Sequence, residues 1–211
     1  MNIIYFILIL LFIYLYSRKT KENMTNESYP KIRKVNNLLN KKDCYNLIKI
    51  ANKKLKPSLT FDGINNARTS YGTFLNNNHP IIKKILKKIE RRTKLSRKKF
   101  ENIYIVKYKK GEKYDPHYDN CMPFSDKICK NDSKDRGYRD KTLVIYLTNN
   151  FEGGYTIFPL LGKKFKPSVG SGIIFNNLLK DGSNVHPLSL HGGEPIIKGV
   201  KYIVNIWIRQ K

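Results

Sequence analysis

The sequence predicts an α+β protein that is mainly β, a double-stranded β-helix (jelly roll) with N-terminal helices packed on one sheet. Two segments in the first half repeat apolar residues at helical spacing. The second half is a series of short apolar runs separated by turns rich in glycine, proline and asparagine. Helices followed by closely spaced strands are typical of a jelly roll with helices on one side. The mouth of such a barrel is a concave place for a ligand.

The front of the 211-residue chain predicts a membrane anchor over residues 1–17. Ile3 to Tyr16 is continuously apolar or aromatic, at the short end of the roughly 17–25 residues that span a bilayer. No basic residue precedes this run and no small-residue cleavage site ends it, so an uncleaved single-pass anchor is favoured over a secretory signal. The basic flank from Arg18 to Lys21 favours a cytosolic catalytic domain, and the endoplasmic reticulum lumen stays open.

Residues 18–34 are polar and predict a linker to one folded domain over residues 35–211. Asn40 can cap a helix over about residues 41–55, which Pro57 ends. A second helix begins at Pro80, with four lysines opposite its apolar face. The predicted apolar faces are Tyr45, Leu47, Ile48, Ala51 and Leu55 on the first helix, and Ile81, Ile82, Ile85, Leu86 and Ile89 on the second.

The strands are short and lie mainly in the second half. Between residues 120 and 141 lies a polar, charged segment that predicts a lid, a binding loop or disorder. Of the three cysteines, only Cys121 and Cys129 are close enough to suggest a loop disulfide, and their pairing stays open. The predicted strands are residues 68–75, a run through Ile103 and Ile105, and residues 142–148, 155–159, 173–175, 189–191 and 201–208.

The composition is strongly basic, with 41 Lys and Arg against 16 Asp and Glu and a formal charge of +25. Such a balance is typical of proteins that bind nucleic acid or an acidic membrane surface. The lysines, however, are spread along the whole chain and do not form one block. A general compositional bias therefore explains them better, and no nucleic-acid partner is expected.

A metal site is predicted from His117-x-Asp119, which follows a strand and a Lys-Lys-Gly turn. In an extended segment residues i and i+2 point to one face, so the imidazole and the carboxylate converge. They form two thirds of a 2-His-1-carboxylate site for Fe(II). His191 and His186 compete for the third position, and His191 is favoured because Gly192-Gly193 follows it. Lys201 shares the phase of Ile203, Asn205 and Trp207 on the last strand, which leaves two alternatives: an inward-facing lysine, which would need an anion, and an edge lysine of a lysine-rich chain.

Several motifs follow one another in a specific order over residues 35–210. The motifs are Arg68-Thr-Ser-x-Gly-x-Phe-Leu75, Tyr108-x-x-Gly-x-x-Tyr114-x-x-His117-x-Asp119, Arg139-x-x-Thr142-x-x-x-Tyr146-Leu147, Gly153-Gly-x-Thr-x-Phe-Pro159, Ser189-Leu-His191-x-Gly193-x-Pro195 and Lys198-Gly-x-Lys201. Their order resembles the prolyl 4-hydroxylase family of Fe(II)/2-oxoglutarate-dependent dioxygenases. The departures are Tyr155, where the family usually has an acidic residue, and Glu194, where it usually has cysteine.

The resemblance implies a set of roles. The metal ligands would be His117, Asp119 and His191, and Lys201 would complete the catalytic set by binding the C5 carboxylate of 2-oxoglutarate. Tyr146 and Thr142 would help to bind the co-substrate, and Tyr108 would lie near its metal-chelating end. The implied cofactors are Fe(II), 2-oxoglutarate and L-ascorbate.

The implied reaction is 4-hydroxylation of peptidyl proline, which uses O2 and 2-oxoglutarate and gives 4-hydroxyproline, succinate and CO2. The expected partners are a proline-containing peptide or protein substrate and the membrane. Two alternatives stay open: an oxygenase of the same chemistry that acts on lysyl or nucleic-acid substrates, and an inactive basic scaffold at a membrane surface.

Overall fold

The computed structural model describes residues 32–60 and 63–211. The predicted anchor over residues 1–17 and most of the predicted linker lie outside these residues. No helix in the described ranges is long and apolar enough to span a bilayer. In chain order the elements are β1 (Arg33–Val35), α1 (Lys41–Asn52), β2 (Lys56–Pro57), β3 (Tyr71–Leu75), α2 (Pro80–Thr93), β4 (Ile103–Tyr108), β5 (Tyr114–His117), α3 (Lys127–Ser133), β6 (Arg139–Tyr146), β7 (Phe151–Gly153), β8 (Thr156–Phe158), β9 (Lys163–Phe165), β10 (Gly172–Asn176), β11 (His191–Gly193), β12 (Ile196–Gly199) and β13 (Lys201–Arg209).

Two sheets enclose the inner core. The major sheet has the strand order β1-β10-β6-β13-β4-β3-β2, and a smaller sheet has the order β5-β11-β8-β9. A further pair joins β12 to β7. The inner core contains Val106 and Tyr146 from the major sheet and Phe158 from the smaller one, so the two sheets pack face to face. The predicted jelly roll is confirmed.

The central strand β13 separates the helices from the inner core. Its residues alternate, so that Tyr202, Val204 and Ile206 pack in the outer core with α1 and α2. Ile203 and Trp207 lie in the inner core on the other face. The helices therefore cover one face of the major sheet, as predicted, and leave the opposite face to the inner core.

The first helix begins as predicted. Asp43 donates its backbone N–H to the side chain of Asn40, and the Asn40 N–H bonds back to the Asp43 carboxylate, which forms a capping box. Its predicted apolar face is wrong in part, because Tyr45 is 62% exposed. The helix also ends at Asn52, before Pro57, which belongs to β2. On α2 the predicted face is buried except for Ile81, which is 39% exposed.

The boundaries of several predicted elements differ from those in the structure. β1 begins at Arg33, two residues before the predicted domain boundary, and pairs with β10. The polar segment contains α3 and a disulfide between Cys121 and Cys129, and β6 begins at Arg139, inside that segment. The disulfide settles the pairing that the sequence left open.

Candidate active site

Two neighbouring strands of the smaller sheet carry the two predicted histidine ligands. β5 and β11 pair antiparallel with His117 opposite His191, and the ring centroids lie 4.4 Å apart. A side chain on Gly192 would meet the backbone of β5, because its Cβ would lie 2.9 Å from the carbonyl oxygen of Tyr114. The glycine after His191 is thus required by the close approach of a protein strand.

Asp119 completes a cluster with both histidines. Its Oδ1 lies 3.8 Å from Nε2 of His117, and its Oδ2 lies 3.6 Å from Nε2 of His191. The candidate ligand atoms of the three residues all lie within 4.8 Å of one another. The competitor His186 is not in this cluster, and its Nδ1 accepts a hydrogen bond from the N–H of Leu188.

Both histidines direct Nε2 toward the cluster, where it can bind a metal. Nδ1 of His117 lies 2.8 Å from the carbonyl of Asp115, and Nδ1 of His191 lies 2.9 Å from the carbonyl of Ser189. A carbonyl only accepts, so Nδ1 carries the hydrogen and Nε2 of the neutral ring carries a lone pair toward the cluster. Burial, reinforced by the nearby His191, lowers the pKa of His117 to about 3, which keeps its ring neutral. This donor set fits a divalent metal such as Fe(II).

The Asp119 carboxylate is held ionised. Burial raises its pKa, but His191, His117, Arg139 and the hydroxyl of Thr142 outweigh this effect and lower the pKa overall. Thr142 donates to Oδ2, and Nη1 of Arg139 donates to the Asp119 carbonyl at 2.9 Å.

Two charged residues that the sequence did not single out for a role support this arrangement. Arg139 makes a bidentate pair with Glu101, with distances of 2.7 and 2.8 Å. Glu101 in turn accepts from Arg209 at 2.6 Å. Glu101 is 38 residues from Arg139 in sequence, so the tertiary structure brings the two side chains together. The chain of contacts fixes the backbone of Asp119 from the far side of the cluster.

Lys201 is a fully buried cation. Its side chain is 2% exposed, and Nζ donates to the Gly154 carbonyl at 2.7 Å. Nζ also lies 5.2 and 5.0 Å from the ring centroids of Tyr108 and Tyr146. No carboxylate of the described chain lies within ion-pair distance, and burial lowers the Lys201 pKa to about 7. The structure therefore places a lysine inside the barrel with an unfilled need for an anion.

The remaining predicted co-substrate residues lie in different places. Tyr108 is directly opposite Lys201 on β4. The Tyr146 hydroxyl is 2.7 Å from the Thr156 hydroxyl and donates to the Phe165 carbonyl at 3.1 Å, so its hydrogen-bonding capacity is largely used. Thr142 pairs with Trp207 on β13, six residues from Lys201 and thus about 20 Å along the strand. Thr142 contacts Asp119 instead.

An aromatic surface runs outward from the metal cluster. Tyr114 stacks on His117 at 3.5 Å between ring centroids. The guanidinium of Arg68 lies 4.4 Å from the Tyr114 ring and 5.2 Å from the Tyr104 ring. Tyr104 stacks on Trp207 at 5.9 Å. Nη2 of Arg68 and Nε1 of Trp207 are buried donors without a partner in the described part of the chain.

Comparison with known proteins identifies the family. The profile of the 2OG-Fe(II) oxygenase superfamily matches residues 103–209. A protein of Acanthamoeba polyphaga mimivirus that is named as a prolyl 4-hydroxylase is 35% identical over 187 residues, which cover 88% of this chain and 77% of that protein. The chain belongs to the prolyl 4-hydroxylase family of Fe(II)/2-oxoglutarate dioxygenases. Prolyl 4-hydroxylase 2 of Arabidopsis thaliana is 31% identical over 194 residues, which cover 79% of this chain and 62% of that protein.

A solved structure in the same family has the same fold. The viral collagen prolyl hydroxylase of Paramecium Bursaria Chlorella virus-1, in its complex with 2-oxoglutarate, matches with a TM-score of 0.63 and 31% identity. The match covers 84% of this chain and 95% of that one. The family's cofactors are Fe(II) and 2-oxoglutarate, and the His-Asp-His cluster of this chain fits the metal.

Proposed function

We propose that this chain 4-hydroxylates peptidyl proline, consuming O2 and 2-oxoglutarate and releasing 4-hydroxyproline, succinate and CO2. One observation supports the proposal most directly: a His-Asp-His cluster and a buried lysine without a carboxylate partner in the described residues lie in one barrel. The relatives named as prolyl 4-hydroxylases support proline as the substrate.

In this proposal His117, Asp119 and His191 hold the iron, and Lys201 binds the C5 carboxylate of 2-oxoglutarate. The bound iron and 2-oxoglutarate supply the oxidising chemistry. The protein supplies the geometry, because the carbonyls of Asp115 and Ser189 fix the two imidazoles. Tyr108 and Tyr146 form an apolar wall beside the lysine.

The aromatic surface supports an extended, proline-containing substrate. A polyproline II segment leaves its backbone unpaired and docks on flat aromatic side chains. Tyr114 is half-buried beside His117 and offers such a ring, and Tyr104 and Trp207 are buried and continue the aromatic contacts into the interior.

We also propose that residues 1–17 anchor the protein in a membrane with a single pass, and that the linker over residues 18–34 joins the anchor to the catalytic domain. The disulfide between Cys121 and Cys129 favours an oxidising compartment such as the endoplasmic reticulum lumen. L-Ascorbate is the proposed reductant that restores Fe(II) after uncoupled turnover.

The proposal is tested by supplying the purified chain with Fe(II), 2-oxoglutarate and ascorbate, with and without a proline-rich peptide. We expect peptide-stimulated release of succinate and the gain of one oxygen on proline, measured by mass spectrometry. His191→Ala should abolish both, because the cluster loses a ligand. His79→Ala is the matched control, since His79 is exposed at the start of α2. Succinate release without any oxygenated proline would overturn the substrate and leave the oxygenase chemistry.

A further inference from the structure

Asn177 is a buried residue next to the end of β10 that the proposed reaction has not used. It is 1% exposed, and its Nδ2 donates to the hydroxyl of Thr142 at 2.8 Å. Thr142 is also 1% exposed and donates to Oδ2 of Asp119 at 2.5 Å. The side chain of Asn177 therefore reaches a proposed metal ligand through one hydroxyl.

The direction of these hydrogen bonds is determined by the chemistry of the groups. An ionised carboxylate only accepts, so the single hydroxyl hydrogen of Thr142 goes to Asp119. Thr142 can then only accept from Asn177, which must present its NH2 group and not its oxygen. The Asn177 Oδ1 has no partner within the described residues, so the amide is held in this orientation by Thr142 alone.

The backbone of Asn177 reaches the second proposed ligand. Its carbonyl accepts from the N–H of His186 at 2.9 Å. The His186 carbonyl accepts from the N–H and the hydroxyl of Ser189, at 2.9 and 2.7 Å. The Ser189 carbonyl orients the imidazole of His191. One buried residue thus contacts both the side-chain support of Asp119 and the turn that supports His191.

We propose that Asn177 and Thr142 are positioning residues, which orient the Asp119 carboxylate and hold it in register with His191 for metal binding. Neither belongs to the ligand cluster itself. Partners of this kind usually change metal affinity or activity by about 10- to 100-fold when they are removed. The inference rests on the proposed metal ligands but is independent of the proposed proline substrate.

The test is a double-mutant cycle on metal affinity, read from the absorption of Co(II) titrated into the metal-free protein. Thr142→Val keeps the shape and removes the hydroxyl, and we expect the Kd for Co(II) to rise about 10- to 100-fold. Asn177→Leu should raise it less. The double variant should match Thr142→Val alone, because the side chain of Asn177 acts through that hydroxyl. Thr142→Ser retains the hydroxyl and should stay within about threefold of the parent protein.

Thr93→Val is the matched control, because it also removes a buried hydroxyl, one that donates within α2 to the Ile89 carbonyl. It should lower the melting temperature without changing the Kd for Co(II). An unchanged Kd in Thr142→Val, or a full additional effect of Asn177→Leu in the Thr142→Val background, would overturn the inference. Asp119→Ala separates this inference from the proposed function: Co(II) binding that survives it would refute the metal site itself.

Discussion

At the scale of single residues, Lys201 links stability to co-substrate binding. The side chain lies between the rings of Tyr108 and Tyr146, which burial keeps neutral by raising their pKa values. Burial lowers the Lys201 pKa, Glu194 opposes that shift, and Lys166 adds to it, so that the net value is about 7. A dicarboxylate that binds there restores the charge and supplies the missing partner.

This coupling predicts that 2-oxoglutarate binds more weakly as the pH rises above about 7. In the free protein Lys201 is then increasingly neutral, so binding must take up a proton, and the apparent Kd should rise by up to about tenfold per pH unit. Stability without 2-oxoglutarate should change in the opposite direction. The folded pKa of Lys201 lies below the ordinary lysine value of 10.5, so the unfolded chain binds more protons between these two values and stability rises with pH. Calorimetric titration and thermal unfolding between about pH 6 and 9 measure the two trends.

The variant Lys201→Met tests whether Lys201 causes this pH dependence of 2-oxoglutarate binding. Loss of a charged hydrogen bond of about 1.5–3 kcal/mol should weaken 2-oxoglutarate binding by about 10- to 150-fold and remove its pH dependence. Lys198→Met is the control, because that side chain is 81% exposed. Binding that stays independent of pH in the parent protein would contradict the role of Lys201.

At the scale of elements, the segment between Asp119 and β6 is tied down at three points. The disulfide joins Cys121 to Cys129, and Asp132 on α3 accepts from Nη1 and Nη2 of Arg209 at 2.9 and 3.2 Å. The rings of Phe124 and Tyr138 stack at 3.6 Å. These contacts hold α3 against the end of β13, close to the network that supports Asp119.

Replacing both disulfide cysteines by serine should lower the free energy of unfolding by about 2.5 kcal/mol, from the chain-entropy cost of releasing so short a loop. Because α3 then loses a constraint, the KM for peptide should rise more than the KM for 2-oxoglutarate. Denaturant unfolding and steady-state kinetics measure these effects. A reductant should shift the parent protein toward the variant and leave the variant unchanged; an equal shift in both would contradict the assignment.

The sequence predicted local features better than distant contacts. His117-x-Asp119 and the capping box at Asn40 depend on neighbours in the chain, and both have the expected local geometry. Glu101 and Asn177 reach the site only through the pairing of distant strands, which no local pattern encodes. In the sequence, Glu101 and Asn177 were recognisable only as polar residues next to apolar strands.

The errors at the element scale have a similar cause. Tyr45 fits the periodicity of α1 but lies beyond the surface that the helix buries, so it is exposed. Periodicity assigns a face, whereas the width of the buried stripe depends on the packing partner. Arg139 fell within the predicted charged segment but begins β6, where its charge is paired with that of Glu101.

At the scale of the whole molecule, the major sheet separates the lysines of α2 from the candidate active site. Lys83, Lys84 and Lys87 are exposed on α2, which packs on the outer core. Lys201 and the aromatic surface lie on the opposite face of the same sheet. The charge of +25 therefore does not describe the pocket, and a polyanionic substrate drawn to α2 would lie on the wrong side of the sheet.

Changing Lys83, Lys84 and Lys87 together to glutamine should leave kcat/KM for a proline peptide within about twofold, because exposed charges beyond about 10 Å are screened at physiological salt. Lys88 is left unchanged because its Nζ contacts the Asp43 carboxylate at 2.7 Å. Peptide turnover should also be nearly independent of salt between about 50 and 200 mM, whereas a substrate held by six to ten phosphate contacts would lose about 10³- to 10⁵-fold in affinity over that range. A large loss of peptide turnover in the triple variant, together with steep salt dependence, would instead show that the charges of α2 take part in binding the peptide. If peptide turnover responds neither to the three substitutions nor to salt, the peptide is recognised at the aromatic surface. Ring contacts would then contribute most of the binding, and charge would contribute little.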